Sequence, residues 1–143
     1  MTPFLTIFIP AYNEARNLSR CVQAVLAEMG SLGVSVEIII VDDGSRDATP
    51  ALADWLAAQD DRLRALHHPV NLGIGAAFKT ALQHASGEWF ILIPADLAIE
   101  PSELRRHIAA APQADVLVGL RSDLSDYNLL RKIVHHANIF LIQ

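Results

Sequence analysis

Residues 38–41 read Ile-Ile-Ile-Val. Four branched aliphatic side chains in a row cannot lie on a surface that is half wet, so a strand built from them needs cover on both faces. Five runs share this short, mostly β-branched or aliphatic character: "LTIFIP" (5–10), "EIIIVD" (37–42), "RALHH" (64–68), "EWFILIP" (88–94) and "DVLVGL" (115–120). All five read as strands buried on both faces. Between them the apolar residues switch to helical spacing: Leu18, Val22, Val25 and Met29, then Leu52, Trp55 and Leu56 after "RDATP", then Phe78, Ala81 and Leu82 after "NLGIG". Pro50 and Pro101 suit first-turn positions of helices. Strands alternating with helices predict an α/β fold, a mostly parallel central sheet with helices on both faces. With 143 residues, 52% of them hydrophobic, the chain has enough material for one packed domain over 1–143.

Charge and composition remove several functions. Lys and Arg number 11 against 16 Asp and Glu, a net charge of −5, and no basic stripe exists to neutralise phosphates along a duplex, so nucleic acid is excluded as a partner. The single Cys21 has no internal partner for a disulfide, which fits a reducing compartment and a role in helix-face packing. "MTPFLTIFIP" lacks the basic head and cleavage site of a secretory signal. No run reaches the ~18 apolar residues of a membrane span. A soluble, cytoplasmic protein is the expectation. The histidine pairs His67-His68 and His135-His136 lack metal-ligand spacing, because adjacent side chains diverge on a strand or helix.

In open α/β sheets ligands bind beyond the carboxyl ends of the strands. There the chain carries "PAYNEARN", "VDDGSRDAT", "PADLAIEP" and "GLRSD". Glu14, Asp42, Asp43 and Asp96 would converge on one edge, where like charges repel unless a cation or hydrogen-bond donors share the site. A nucleotide diphosphate with Mg²⁺ or Mn²⁺ meets that need: base N–H and ribose hydroxyl groups donate to carboxylates, and the metal bridges phosphate oxygens to a protein acid. Purely structural roles stay open for the same residues. Asn13 and Glu14 suit a helix N-terminus, "DDGSRD" a turn with a helix cap at Asp47, Asp96 a cap for the helix near Pro101, and "NLGIG" a tight strand-to-helix turn. "GIGAAF" lacks the third glycine of a dinucleotide fingerprint and follows the third strand instead of the first, which argues against an oxidoreductase.

Taken in order and spacing, "TIFIPAYNEARNL", "EIIIVDDGSRDAT", "NLGIGAAFKTALQHASGEWFILIPADL" and "VLVGLR" resemble the inverting family 2 glycosyltransferases of GT-A fold, a Rossmann-like nucleotide-diphospho-sugar transferase architecture. The nearest branch by these motifs is that of the dolichol-phosphate mannose synthase-like enzymes, which move a sugar from a nucleotide diphosphate onto a polyprenyl phosphate. Coverage runs from about residue 4 to at least 131. The resemblance implies that Pro10, Ala11, Tyr12 and Glu14 line the nucleobase and ribose pocket, and that Val41 and Asp43, with Asp42 beside them, hold the base. It implies further that Ala95 and Asp96 sit at the diphosphate and metal, with Asp96 the metal ligand. Asp96, Arg121 and Arg131 are then the catalytic set, the arginines facing phosphates.

Two departures stand out. Where the family has a DxD motif, often followed by a glutamine, this chain has Pro94-Ala95-Asp96-Leu97-Ala98. Mg²⁺ or Mn²⁺ is therefore expected to bind weakly without the nucleotide. The chain also ends within a helical pattern where family members continue, so the acceptor side is expected to be incomplete, with C-terminal truncation or completion by a homo-oligomer. A hydroxyl acceptor needs a general base, and none is evident after residue 96, since Glu100 and Glu103 flank a helix start. A polyprenyl phosphate, largely ionised at neutral pH, needs none. The segment "YNLLRKIVHHANIFLIQ" lines up Leu130, Ile133, Val134 and Ala137 on one helical face, suited to packing on its own domain or to peripheral contact with the inner face of a membrane. Transfer to polyprenyl phosphate is the leading expectation. A nucleotide-sugar-binding module with little or no turnover is the alternative.

Overall fold

The computed structural model describes residues 2–113 and Asp115. The strand expected at 115–120 beyond its first residue, Arg121, Arg131 and the helical pattern after Tyr127 lie outside the described residues. Among the described residues four strands and four α-helices follow in the order β1 (Leu5–Ala11), α1 (Leu18–Leu32), β2 (Val36–Asp42), α2 (Thr49–Gln59), β3 (Leu63–His67), α3 (Ile74–His84), β4 (Trp89–Leu92) and α4 (Leu104–Ala110). Pro50 falls in the first turn of α2, and Pro101 opens a short 3-10 turn that leads into α4. The chain divides into two compact units, residues 1–108 and 109–143. Within the second, the described residues are the last two of α4, a 3-10 turn at Ala111–Gln113, and Asp115.

The strand pairs among the described residues are all parallel, in the order β3-β2-β1-β4. The chain starts at β1, steps outward to β2 and β3, then returns to place β4 on the far side of β1. Crossovers between parallel strands are right-handed in nearly all proteins, so this reversal sends α3 to the opposite face from α1 and α2. The packing follows that rule. Ile7, Ile9, Ile38 and Ile40 meet Leu18, Val22, Val25 and Met29 of α1 and Ala53 and Leu56 of α2. On the other face Phe8, Ile39 and Val41 meet Ala77 and Ala81 of α3. Each of these isoleucines is wholly buried, and each contributes about 1.5–3 kcal/mol by leaving water. The Ile-Ile-Ile-Val run is thus shared between two cores, alternate residues to each.

Burial on both faces holds for β1 and β2 but not for the outer strands. On β3 only Leu63 is buried, while Arg64 and His67 are exposed. All four residues of β4 are half-buried. Both are edges among the described residues, and α3 presents small alanines to the sheet. Phe78 and Leu82, read from the sequence as part of the buried helical face, are 41% and 52% exposed, because the neighbouring positions Ala77 and Ala81 take the close contact. Phe78 still meets Phe8 and Phe90 edge-on at 6.1 and 5.2 Å between ring centres.

Candidate functional site

The reversal of strand order between β1 and β4 leaves a crevice at the carboxyl ends of the strands, the position where open α/β sheets bind ligands. A cleft of about 290 Å³ opens there. Its walls come from Pro10, Ala11, Tyr12 and Glu14 after β1, Asp43 after β2, Asn71, Gly73, Ile74 and Ala77 around the start of α3, and Pro94, Ala95 and Asp96 after β4.

Two loops shape the first wall by holding each other. Asn13 adopts a left-handed backbone, φ 57°, a conformation its short polar side chain tolerates better than most. Its N–H donates to Ser45 Oγ at 2.9 Å, and its Oδ1 accepts from the Arg46 N–H at 2.9 Å. Glu14 N–H donates to Thr49 Oγ1 at 2.8 Å, and Asp47 accepts from the Ala15 and Thr49 amides and from the Thr49 hydroxyl. These bonds fix Tyr12, which is 44% exposed, and Glu14, whose Oε2 accepts from Asn17 Nδ2 at 2.8 Å. Asp47 therefore joins the loops while also bonding the first helical residue of α2, the role nearest to the cap read from the sequence.

Asp42 and Asp43 take opposite sides of the sheet, since strand residues alternate. Asp42 faces the α1 and α2 side. It accepts from the Ser45 N–H at 3.1 Å and pairs with His67 Nδ1 at 3.2 Å, while His67 Nε2 reaches Asp54 of α2 at 2.9 Å. Burial alone would lower the His67 pKa, but hydrogen bonds and charge from Asp54 and Asp42 outweigh it and raise it above 6.5. Asp43 faces α3. Its Oδ1 accepts from His68 Nδ1 at 2.7 Å and from the Leu72 N–H at 2.9 Å, and its Oδ2 from the Gly73 N–H at 2.8 Å. Burial pushes the Asp43 pKa up, yet these donors together hold it below its ordinary value. Gly44 makes the approach possible: at φ 70° a Cβ there would stand 2.3 Å from the Val70 carbonyl carbon.

The opposite wall follows β4. Asp96 is exposed, and one of its oxygens accepts from the Ala98 N–H at 3.0 Å. Behind it the Cys21 thiol points at the Pro94 carbonyl, 3.6 Å away. Burial first, and then the charges of Asp96 and Glu14, push that thiol up to about 11, so it stays neutral. Its packing role on α1 is as expected from the sequence.

Pro10, Ala11, Tyr12, Glu14, Asp43, Ala95 and Asp96 thus border one cleft. Val41 does not: it is fully buried under α3. Asp42 does not either, being engaged with His67 on the other side. Asn71, Gly73, Ile74, Ala77 and Pro94 border the cleft without having been named as site residues. The adjacent pairs Asp42-Asp43 and His67-His68 were the available signal for part of this. Asp42 and His67 are register partners on β2 and β3, so each histidine falls beside one acid. Among the described residues no three His, Cys, Asp or Glu side chains stand close enough to hold a metal ion by themselves.

The sequence pattern described as "Glycosyl transferase family 2" matches residues 6–140. Glycosyltransferase AglD of Haloferax volcanii is 36% identical over 102 residues, 70% of this chain and 16% of AglD. The undecaprenyl-phosphate 4-deoxy-4-formamido-L-arabinose transferase of Edwardsiella ictaluri is 34% identical over 125 residues, 86% of this chain and 38% of that protein. Among solved structures, the mannosyltransferase PcManGT from Pyrobaculum calidifontis in complex with GDP-Man and Mn²⁺ superposes with a TM-score of 0.56 at 27% identity, over 67% of this chain and 28% of that one. The chain spans less than half the length of each of these proteins.

Proposed function

The chain belongs to glycosyl transferase family 2 and has the parallel GT-A architecture, and from that premise we propose that it moves a sugar from a nucleoside-diphosphate sugar to a polyprenyl phosphate with inversion. The observation that carries the reading is the meeting of Tyr12, Glu14, Asp43 and Asp96, distant in sequence, on one cleft at the reversal of strand order. A polyprenyl-phosphate acceptor is supported by the relative named for undecaprenyl phosphate.

In the proposed reaction an oxygen of the acceptor phosphate bonds to the anomeric carbon from the face opposite the nucleotide. The bond from that carbon to the donor's β-phosphate oxygen breaks, and its electron pair leaves with the nucleoside diphosphate. The acceptor phosphate is already ionised at neutral pH, so no side chain has to remove a proton. Tyr12 and Glu14 bound the nucleoside end of the cleft, and Asp96 bounds the diphosphate end. Among the described residues Asp96 keeps one oxygen clear of internal hydrogen bonds, while Asp43 is engaged with three donors. That free carboxylate oxygen fits a divalent ion, Mg²⁺ or Mn²⁺, which Asp96 would hold when the donor's phosphates are bound. Bound there, the ion would stabilise charge on the departing diphosphate. Arg121 and Arg131 are proposed to grip the acceptor phosphate through paired N–H groups.

One observation favours a second reading, nucleotide-sugar binding with little turnover: Pro94 and Ala95 occupy the cleft wall immediately before Asp96, where further acids would strengthen metal binding. No helix among the described residues is long and apolar enough to cross a membrane. Contact with a lipid acceptor is proposed to be peripheral, at the inner face. Incubating the chain with radiolabelled nucleotide sugars and polyprenyl phosphate, then extracting lipid, tests the transfer. Labelled lipid is the expected product. Donor binding without labelled lipid would favour the second reading.

A further inference from the structure

Asp43 is surrounded in a way that bears on which base the cleft accepts, and the inference rests on the donor-cleft reading above. An ionised carboxylate has about four lone-pair directions. Both on Oδ1 are taken, by His68 Nδ1 at 2.7 Å and the Leu72 N–H at 2.9 Å. One on Oδ2 is taken by the Gly73 N–H at 2.8 Å. The side chain is 7% exposed, so water has little access to it. His68 is itself held from behind, its Nε2 lying 2.9 Å from Thr80 Oγ1 on α3, and it cannot swing away without breaking that contact. Among the described residues, what remains for a ligand is a single acceptor direction on Oδ2.

Bases differ in how many donors they present to such a point. Uracil offers one ring N–H between two carbonyls. Guanine offers a ring N–H beside an exocyclic amine, two parallel donors that suit a carboxylate with both oxygens free. Adenine and cytosine place a bare ring nitrogen beside their amine, and that nitrogen would face the carboxylate charge. The geometry points to a uracil-type nucleoside diphosphate as the donor, with His68 the positioning residue that sets this preference by occupying Oδ1. Guanine would leave one buried donor without a partner. The mannosyltransferase that superposes on this fold was solved with GDP-Man, so the fold leaves the base open and the choice comes from the surroundings of Asp43.

Calorimetric titration of the full chain with UDP, IDP and GDP tests this. IDP is the informative control, because hypoxanthine has the size of guanine and the single ring N–H of uracil. UDP is expected to bind at least about tenfold more tightly than GDP, the effect of one unpaired buried donor, and IDP is expected to fall on the UDP side of GDP. In His68→Ala, with folding checked by its thermal transition, the UDP to GDP ratio is expected to fall toward one. GDP binding as tightly as UDP and IDP in the parent chain would overturn the base assignment while leaving the donor cleft standing. Absence of binding by all three would overturn the donor cleft, and the assignment with it. A folded His68→Ala variant with an unchanged ratio would overturn the role given to His68.

Discussion

Replacing Glu37 by Ala should destabilise the fold far more than replacing it by Gln. Glu37 is buried at the amino end of β2, beside its register partner Thr6 on β1. Its Oε1 accepts from the Thr6 hydroxyl at 2.6 Å, from the Gly87 N–H at 3.1 Å and from the Ser86 N–H. Gly87 also donates to Thr6 Oγ1 at 2.9 Å. A Cβ on Gly87 would stand 2.5 Å from the Thr6 amide nitrogen, which shows how closely the turn before β4 is drawn in. Arg64 lies 3.8 Å from Oε2 but is 48% exposed, and such pairs contribute little. In the alanine variant the Thr6 hydroxyl and the Ser86 N–H lose their acceptor. At about 1–3 kcal/mol for each orphaned group, the loss is about 3 kcal/mol, or about 10 °C in Tm for a chain of this size. Glutamine keeps an acceptor oxygen in place and should cost about 1 kcal/mol. Urea denaturation followed by circular dichroism gives both values. Equal losses for Ala and Gln would refute the reasoning, since charge and not acceptor count would then be decisive. Burial by itself raises the Glu37 pKa, but the bonds from Thr6, Ser86 and Gly87 outweigh it and hold the carboxyl below 4.5. The part of its contribution that depends on charge is therefore complete above the unfolded value of 4.5 and lost as pH falls through the lower folded one, so the gap between the parent and the Gln variant should close in acid while most of the gap to the Ala variant remains.

His67 should show the opposite pH dependence. Its pKa is raised in the folded state, so its contribution is complete below the unfolded value of 6.5 and disappears as pH rises through the folded one. Denaturation midpoints of the parent and His67→Gln, measured from pH 5 to 9, should converge at the alkaline end, and a constant gap would contradict the Asp42-His67-Asp54 bridge. Gly44→Ala should lose about 3 kcal/mol or fail to fold, because the added methyl meets Val70 backbone and the residue needs a positive φ. Stability within about 0.5 kcal/mol of the parent by urea titration would show that the segment after β3 is not packed on Gly44.

The central strands were legible because their chemistry is unambiguous: Ile38 to Val41 tolerate no wet face, and β1 and β2 duly occupy the middle of the sheet. The edge strands read as more buried than they are, since "RALHH" and "EWFILIP" do not reveal which neighbours a strand will lack. The acids after the strands were expected at one rim of the sheet, because parallel strands bring all their carboxyl ends to one side, and Glu14, Asp43 and Asp96 do border one cleft there. Separating Asp42 from Asp43 required strand parity, which assigns them to opposite faces. Equal parity on β3 gives His67 to α2 and His68 to α3, a pairing hidden when the histidines are considered only as metal ligands. "NLGIG" carries more than a turn: the Leu72 and Gly73 amides bind Asp43, and Gly73 borders the cleft. Nothing in its composition distinguishes those amides from those of any tight turn.

The most direct measurement is the effect of Mn²⁺ on nucleoside-diphosphate affinity in the parent chain and in Asp96→Asn. Asp96 is exposed and, among the described residues, bonds only the Ala98 amide two positions on, so the variant should fold normally. The parent is expected to bind the nucleotide more tightly with Mn²⁺ than without it, and Asp96→Asn to bind with the metal-free affinity under both conditions. The same Mn²⁺ enhancement in both proteins, or no nucleotide binding by the parent under either condition, would contradict a donor cleft in which Asp96 anchors the metal and diphosphate.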